Sequence, residues 1–162
     1  MDKPCNRFVA DVMLGRLARW LRLLGCDVFY DRHGEDSPLL ARAISEQRIL
    51  LTRDNELASR ARGSGYFVES QEIREQLAEV ITKFDIEPVL YGGRCSECNG
   101  AVVDVPKETV RSEVPGYTFL THERFRRCSN CGRIYWEGSH RELAFAELKA
   151  ILPDFGKKHY ED

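Results

Sequence analysis

The sequence predicts an α/β fold: a mostly parallel sheet with flanking helices, then a small β-rich module and a C-terminal helix. Three observations carry the prediction. Short apolar runs alternate with amphipathic segments up to about residue 87, and strands alternating with helices of that length build parallel sheets. Helical periodicity then gives way to a stretch punctuated by Gly and Pro. Two C-x2-C pairs, CSEC at 95–98 and CSNC at 128–131, stand inside that stretch.

FVADV is the first strand, followed by the helix LGRLARWLRLLG. Leu14, Leu17, Leu21 and Leu24 fall on one stripe of it, Arg16, Arg19 and Arg22 lie off the stripe, and Gly25 is a natural stop. CDVFYD is a second strand. SPLLARAISEQ is a second helix, with Ser37 able to cap it and Pro38 suited to the first helical position. RILLT, the helix NELASRARG, the strand GYFVES and the helix QEIREQLAEVITKF complete the alternation. Beyond Pro88–Gly93, the runs VVDV, YTFLT and RIYW read as hairpin strands. SHRELAFAELKAIL is a final helix, with Ser139 and Glu142 spaced as a capping box. The expected organisation is an α/β domain over 1–88, a β-rich module over 89–141, and a helix and loose tail (PDFGKKHYED) over 142–162.

The 162 residues, 43% hydrophobic and 31% charged, match a globular chain with a real core. No apolar run approaches the roughly 18 residues of a membrane span. MDKPCNRFVA lacks the apolar segment of a secretory signal, which makes a cytoplasmic location the default. A net charge of -2 does not announce a nucleic-acid binder, although local patches matter more than the sum. Cys5 and Cys26 are read as isolated core or surface thiols.

Cys95, Cys98, Cys128 and Cys131 have the spacing of a metal site rather than of a disulfide framework. Thiolates two residues apart can turn toward one tetrahedral ion, and two such pairs close the shell, so the expected zinc is structural. His122 and His140 are alternative ligands that four cysteines leave without a role. The 29 residues between the pairs suit a ribbon whose hairpins separate two knuckles.

Ligands of open α/β sheets bind at the carboxyl ends of the strands. There the sequence places Asp11, then Asp31 with Glu35 and Asp36, then Asp54, then Glu69. Each has a structural reading: Asp36 near a helix start, Asp54 as an N-cap, Glu69 as an exposed strand end. Asp11 interrupts an apolar strand where no cap is evidently needed. Like charges gathered in one cleft persist mainly when a cation neutralises them, and oxygen ligands suit Mg2+ or Mn2+. Such a site can activate water against a phosphodiester. The chain has no P-loop and no Gly-rich dinucleotide fingerprint.

FVADVMLGRLARWLRLLGCDVFYD, DSPLLARAISEQRILLTRD, RCSECNG and FRRCSNCGRIYWEGSH resemble the PIN-like RNase family. More narrowly, they resemble the domain named after the C-terminal region of the Mut-seven exonucleases, over roughly residues 7 to 141. The resemblance implies a PIN-like nuclease fold holding catalytic Mg2+ or Mn2+ on Asp11, Asp36 and Asp54. Arg53, in the same TRD motif, is expected to contact a phosphate or orient Asp54. A fourth acid is unassigned between Glu69 and, behind it, Glu35. RNA, taken as single-stranded, is the expected partner. Arg16, Arg19, Arg126, Arg127 and Trp136 are its candidate contacts, since cations beside stacking aromatics suit such a ligand. The same arginines also read as a solvated face, and the aromatics as a small core. Two other functions compete: a noncatalytic RNA- or protein-binding module, and a phosphoacceptor receiver domain, which would carry adjacent acids after strand one.

Overall fold

The computed structural model describes residues 7–154; Cys5 and the tail beyond 154 lie outside the described residues. The chain divides into two compact units, the first ending at Gly92 and the second beginning at Gly93. The first holds β1 (Arg7–Ala10), a 3-10 turn (Val12–Leu14), α1 (Gly15–Leu23), β2 (Asp27–Tyr30), α2 (Asp36–Ser45) and β3 (Ile49–Thr52). It continues through α3 (Asn55–Arg60), β4 (Gly65–Phe67) and α4 (Ile73–Lys83). The strands pair in parallel in the order β2-β1-β3-β4.

The pleat divides the core between the two faces of the sheet. Val9 and Leu50 turn to one face, where Leu39 and Ala43 of α2 and Leu57 of α3 close over them. Phe8 turns to the other, meeting Phe84 edge-on at 5.4 Å, while Tyr66 meets the same ring at 5.3 Å. Phe8, Leu17, Leu21 and Leu77 are fully enclosed, each contributing about 1.5–3 kcal/mol by leaving water. α1 ends as expected at Gly25, whose φ of 90° suits glycine. The Gly25 amide bonds Arg22 O and the Cys26 amide bonds Leu21 O, a Schellman closure.

The structure corrects three local expectations in these helices. α2 begins at Asp36, one residue before the expected cap, with Glu35 at the N-cap and no side-chain cap bond from Ser37. Pro38 sits inside the first turn, where any of the first amides lacks a partner and a missing N–H costs nothing. Arg22 is buried rather than solvated: its Nε donates to Val28 O at 2.9 Å. Its aliphatic stem covers apolar surface while the head satisfies a backbone carbonyl.

In the second unit, β5 (Val102–Val105), β6 (Phe125–Cys128) and β7 (Ile134–Trp136) form an antiparallel sheet in that order. YTFLT is not a strand but lies in a helix, α5 (Gly116–Thr121). Pro115 precedes it, and Phe119 is buried with Val110, Val114 and Phe125 while Tyr117 and Leu120 face solvent. Tertiary burial on a helical period overrides β-propensity there. α6 runs from Ser139 to Ile151 with Gly138 at the N-cap, so the expected Ser139–Glu142 box is one residue out of phase and no cap bond forms. Among the described residues, no helix is long and apolar enough to cross a membrane.

Candidate active site

The sheet order creates the setting. The chain leaves β1 for β2 on one side, then crosses to β3 on the other. The carboxyl ends of β1 and β3 therefore flank a topological switch point, where α/β sheets open a crevice. Asp11 follows β1 directly and Asp54 follows β3 by two residues.

Asp11 is 4% exposed. Its amide donates to Leu51 O at 3.0 Å, which keeps the residue on the sheet. Its carboxylate accepts from the Val12 amide at 2.6 Å through Oδ1 and from the Thr52 hydroxyl at 2.8 Å through Oδ2. Contrary to the sequence reading, Asp11 does serve as a cap, for the 3-10 turn that starts immediately after it. Thr52, fully buried, accepts in turn from the Asp54 amide at 2.9 Å. One hydroxyl thus ties the two acids together. Asp54 caps α3 with a single oxygen, Oδ1, which accepts from Glu56 at 2.8 Å and Leu57 at 3.1 Å. That carboxylate is exposed.

Asp36 opens α2 and, like Glu35 and Glu69, is exposed. Acids thus follow β2, β1, β3 and β4 along one edge. Among the described residues, the nearest ligand atoms of Asp11, Asp36 and Asp54 do not converge as the four cysteines do.

The two edges of the sheet differ in charge pairing. At the amino edge, Arg48 meets Asp27 at 2.8 Å and also binds Glu46, while Arg7 lies 3.5 Å from Asp27. Burial opposes the Arg48 charge, but its bonds to Asp27 and Glu46 outweigh burial and raise its pKa; the Arg48 hydrogen bond lowers that of Glu46. At the carboxyl edge, Asp11, Asp36, Asp54 and Glu69 form no ion pair among the described residues.

Arg53 points away from Asp54. Its Nη1 donates to the carbonyls of Val68, Glu69 and Ser70 at 2.6, 2.6 and 3.0 Å, stapling the exit of β4. The Glu79 carboxylate holds the same loop through the Glu69 and Ser70 amides, the Ser70 hydroxyl and the Tyr66 hydroxyl. Sequence reasoning missed both Thr52 and Glu79. The hydroxyl inside TRD was a usable signal for the first; Glu79, mid-helix and remote in sequence from its partners, offered none. On α1, Arg16 and Arg19 are exposed.

The four cysteines are brought together. Their Sγ atoms lie within 4.8 Å of one another, with Cys95–Cys131 at 3.7 Å and Cys98–Cys128 at 3.4 Å. A tetrahedron of Zn–S bonds near 2.3 Å has edges of about 3.8 Å, so the set fits a structural metal such as zinc. The knuckles repeat one backbone plan. Cys95 N bonds Gly100 O and Cys128 N bonds Arg133 O, while Asn99 and Gly132 take the left-handed turns at φ 68° and 78°. Burial disfavours the Cys98 thiolate, yet hydrogen bonds from Asn130, the Gly100 amide and neighbouring thiols prevail and bring its pKa to about 6.

The ribbon's candidate nucleic-acid contacts are largely engaged within it. Arg127 binds Glu113 at 2.7 and 3.0 Å, and Arg126 donates to Val102 O at 3.0 Å. Trp136 is half-buried against Phe125, their ring centroids 6.5 Å apart. The Tyr135 hydroxyl lies 2.9 Å from Cys95 Sγ.

The Mut7-C RNAse domain model matches residues 6–147. The chain belongs to that family, and membership implies a nuclease acting on RNA. Among curated proteins and among solved structures, nothing matches significantly.

Proposed function

We propose that this protein is a metal-dependent ribonuclease that hydrolyses phosphodiester bonds of single-stranded RNA. Asp11, Asp36 and Asp54 would hold Mg2+ or Mn2+, with Glu69 as the candidate fourth acid and Glu35 behind it. The observation that carries the reading is the contrast between the sheet's two edges. Arginines neutralise the acids at the amino edge, whereas Asp11, Asp36, Asp54 and Glu69 at the carboxyl edge have no cationic partner among the described residues. Unpaired carboxylates sharing an edge repel one another, and a cation relieves that repulsion. Loose spacing suits Mg2+, which keeps several waters and takes one or two carboxylates plus substrate phosphates rather than a closed protein cage. When bound, the ion supplies a water of lowered pKa and offsets charge developing on the phosphoryl oxygens.

The protein's own groups have separable tasks in this reading. Asp11, fixed by two hydrogen bonds, is a rigid ligand; Asp54 holds α3 with one oxygen and offers the other. Arg53 and Glu79 set the backbone that presents Glu69. Arg16, exposed and in no ion pair among the described residues, supplies a phosphate contact. The ribbon, closed by a structural zinc on Cys95, Cys98, Cys128 and Cys131, adds substrate affinity. A reducing cytoplasm, which keeps these thiols available, belongs to the same proposal.

The test is cleavage of end-labelled single-stranded RNA by zinc-loaded protein with Mg2+ or Mn2+, beside Asp11→Asn and Asp54→Asn variants checked for folding and zinc content. Metal-dependent cutting lost in both variants supports the proposal. Equal cutting by all three proteins identifies a contaminant and removes the site's support. Tight RNA binding without cutting favours a noncatalytic module.

A further inference from the structure

The turn directly after Asp11 has a feature that neither capping nor metal binding uses. Of its three residues Val12, Met13 and Leu14, Leu14 is buried in the core, whereas Val12 and Met13 are 36% and 61% exposed. Two apolar side chains therefore face water beside a buried carboxylate. They are also held in place. Asp11 Oδ1 receives the Val12 amide, the Leu14 amide returns to Asp11 O at 2.9 Å, and the Tyr30 hydroxyl donates to Val12 O at 2.9 Å. Tyr30 reaches the turn because residue 15 is glycine: a Cβ there would lie 2.7 Å from the Tyr30 hydroxyl oxygen. A strand end, a cap, a cross-element hydrogen bond and a cleared approach thus fix the backbone that presents Met13.

A fixed backbone removes the main-chain share of the ordering cost of a contact, leaving only the rotamers of the Met13 side chain to be fixed on binding. Met13 lies two residues from Asp11, so their Cα atoms are at most about 7 Å apart, within the span of a single nucleotide. Its unbranched, polarizable thioether makes favourable contacts with aromatic rings. Exposed Arg16 follows on the same segment as a phosphate partner. Single-stranded nucleic-acid sites pair cations along the backbone with side chains, usually aromatic, that pack on the bases and tolerate any base because every base has a π-face. Met13 offers an aliphatic version of that platform.

We infer that Met13, with Val12, is a nucleobase-contacting residue, packing on the base adjacent to the phosphate held at the acidic edge. The inference rests on the nuclease reading but is tested by binding. Fluorescence anisotropy compares a labelled oligouridine with an abasic oligomer of equal length for zinc-loaded parent, Met13→Ser and Met13→Leu. Titrations are run on ice, with the oligomer checked intact on a gel. The parent should prefer oligouridine, Met13→Ser should lose about five- to tenfold of that preference, and Met13→Leu should retain most of it, as expected for one base contact. Undiminished preference in Met13→Ser, no preference in the parent, or equal losses for both oligomers overturns the inference. If the parent cuts RNA with metal while Met13→Ser keeps its preference, only the Met13 inference falls. If the preference collapses as expected but no protein cuts, the nuclease reading falls and the base contact stands.

Discussion

Replacing Thr52 by valine removes one hydroxyl and almost no volume, which isolates what the hydroxyl does. The Thr52 side chain is fully buried, donates to Asp11 Oδ2 at 2.8 Å and accepts from the Asp54 amide at 2.9 Å. Valine leaves a buried carboxylate oxygen without its donor and a backbone amide without its acceptor. A bond to a charged group contributes about 1.5–3 kcal/mol and a neutral one about 1. The added methyl returns at most about 0.8 kcal/mol. The net loss is then about 2–3 kcal/mol, or a urea midpoint lower by about 1–2 M at ordinary m-values. Thr52→Ser keeps the hydroxyl and is the matched control. Urea unfolding followed by circular dichroism, with zinc saturating, measures the difference. RNA cleavage by the two variants should split as well, with valine at least about tenfold slower than serine because Asp11 is no longer held. A valine variant as stable as the parent, or a serine variant as damaged as valine, would refute the claim that this hydroxyl positions the acids.

Metal analysis should find one zinc per chain, and Cys98→Ser or a strong chelator should lower it and unfold the ribbon while the α/β unit keeps its strand amides protected from exchange; unchanged protection in the ribbon would argue against a structural metal. Glu79 tests the pH dependence. Burial opposes its ionisation, but bonds from the Glu69 and Ser70 amides and the Ser70 and Tyr66 hydroxyls prevail and hold its pKa below the ordinary 4.5. The folded value being depressed, its contribution is complete above 4.5 and is lost as pH falls through the lower folded value. Glu79→Gln should therefore be less stable than the parent at neutral pH by a margin that narrows on acidification; a margin independent of pH contradicts this.

The alternation of strands and helices was legible because each element carried its period: Val9 and Leu50 for the pleat, Leu17 and Leu21 for the helix. The cysteine spacing was legible because chelation by C-x2-C is a local property of the chain. The acids could be placed on one edge from strand direction alone. What connects them could not, since Thr52 reaches Asp11 across 41 positions of sequence. The partners of Arg53 were hidden for a similar reason. Its place in the TRD motif suggested a phosphate contact or a role in orienting Asp54, yet successive residues of an extended chain point to opposite sides, and its Nη1 turned to the carbonyls after β4. YTFLT failed because its composition favours strands, while its environment rewards one buried ring, Phe119, at helical spacing.

The hydrogen bonds that position the acids have a practical consequence. The amides of Val12, Glu56 and Leu57 donate directly into the carboxylates of Asp11 and Asp54, and the Asp54 amide reads the Thr52 hydroxyl between them. Any change of charge on those two side chains is felt directly by these four protons. The chain therefore carries its own reporters in an amide spectrum. Titrating a divalent cation should displace that small set of resonances while the paired amino edge, twelve or more ångströms down four-residue strands, stays silent as an internal reference.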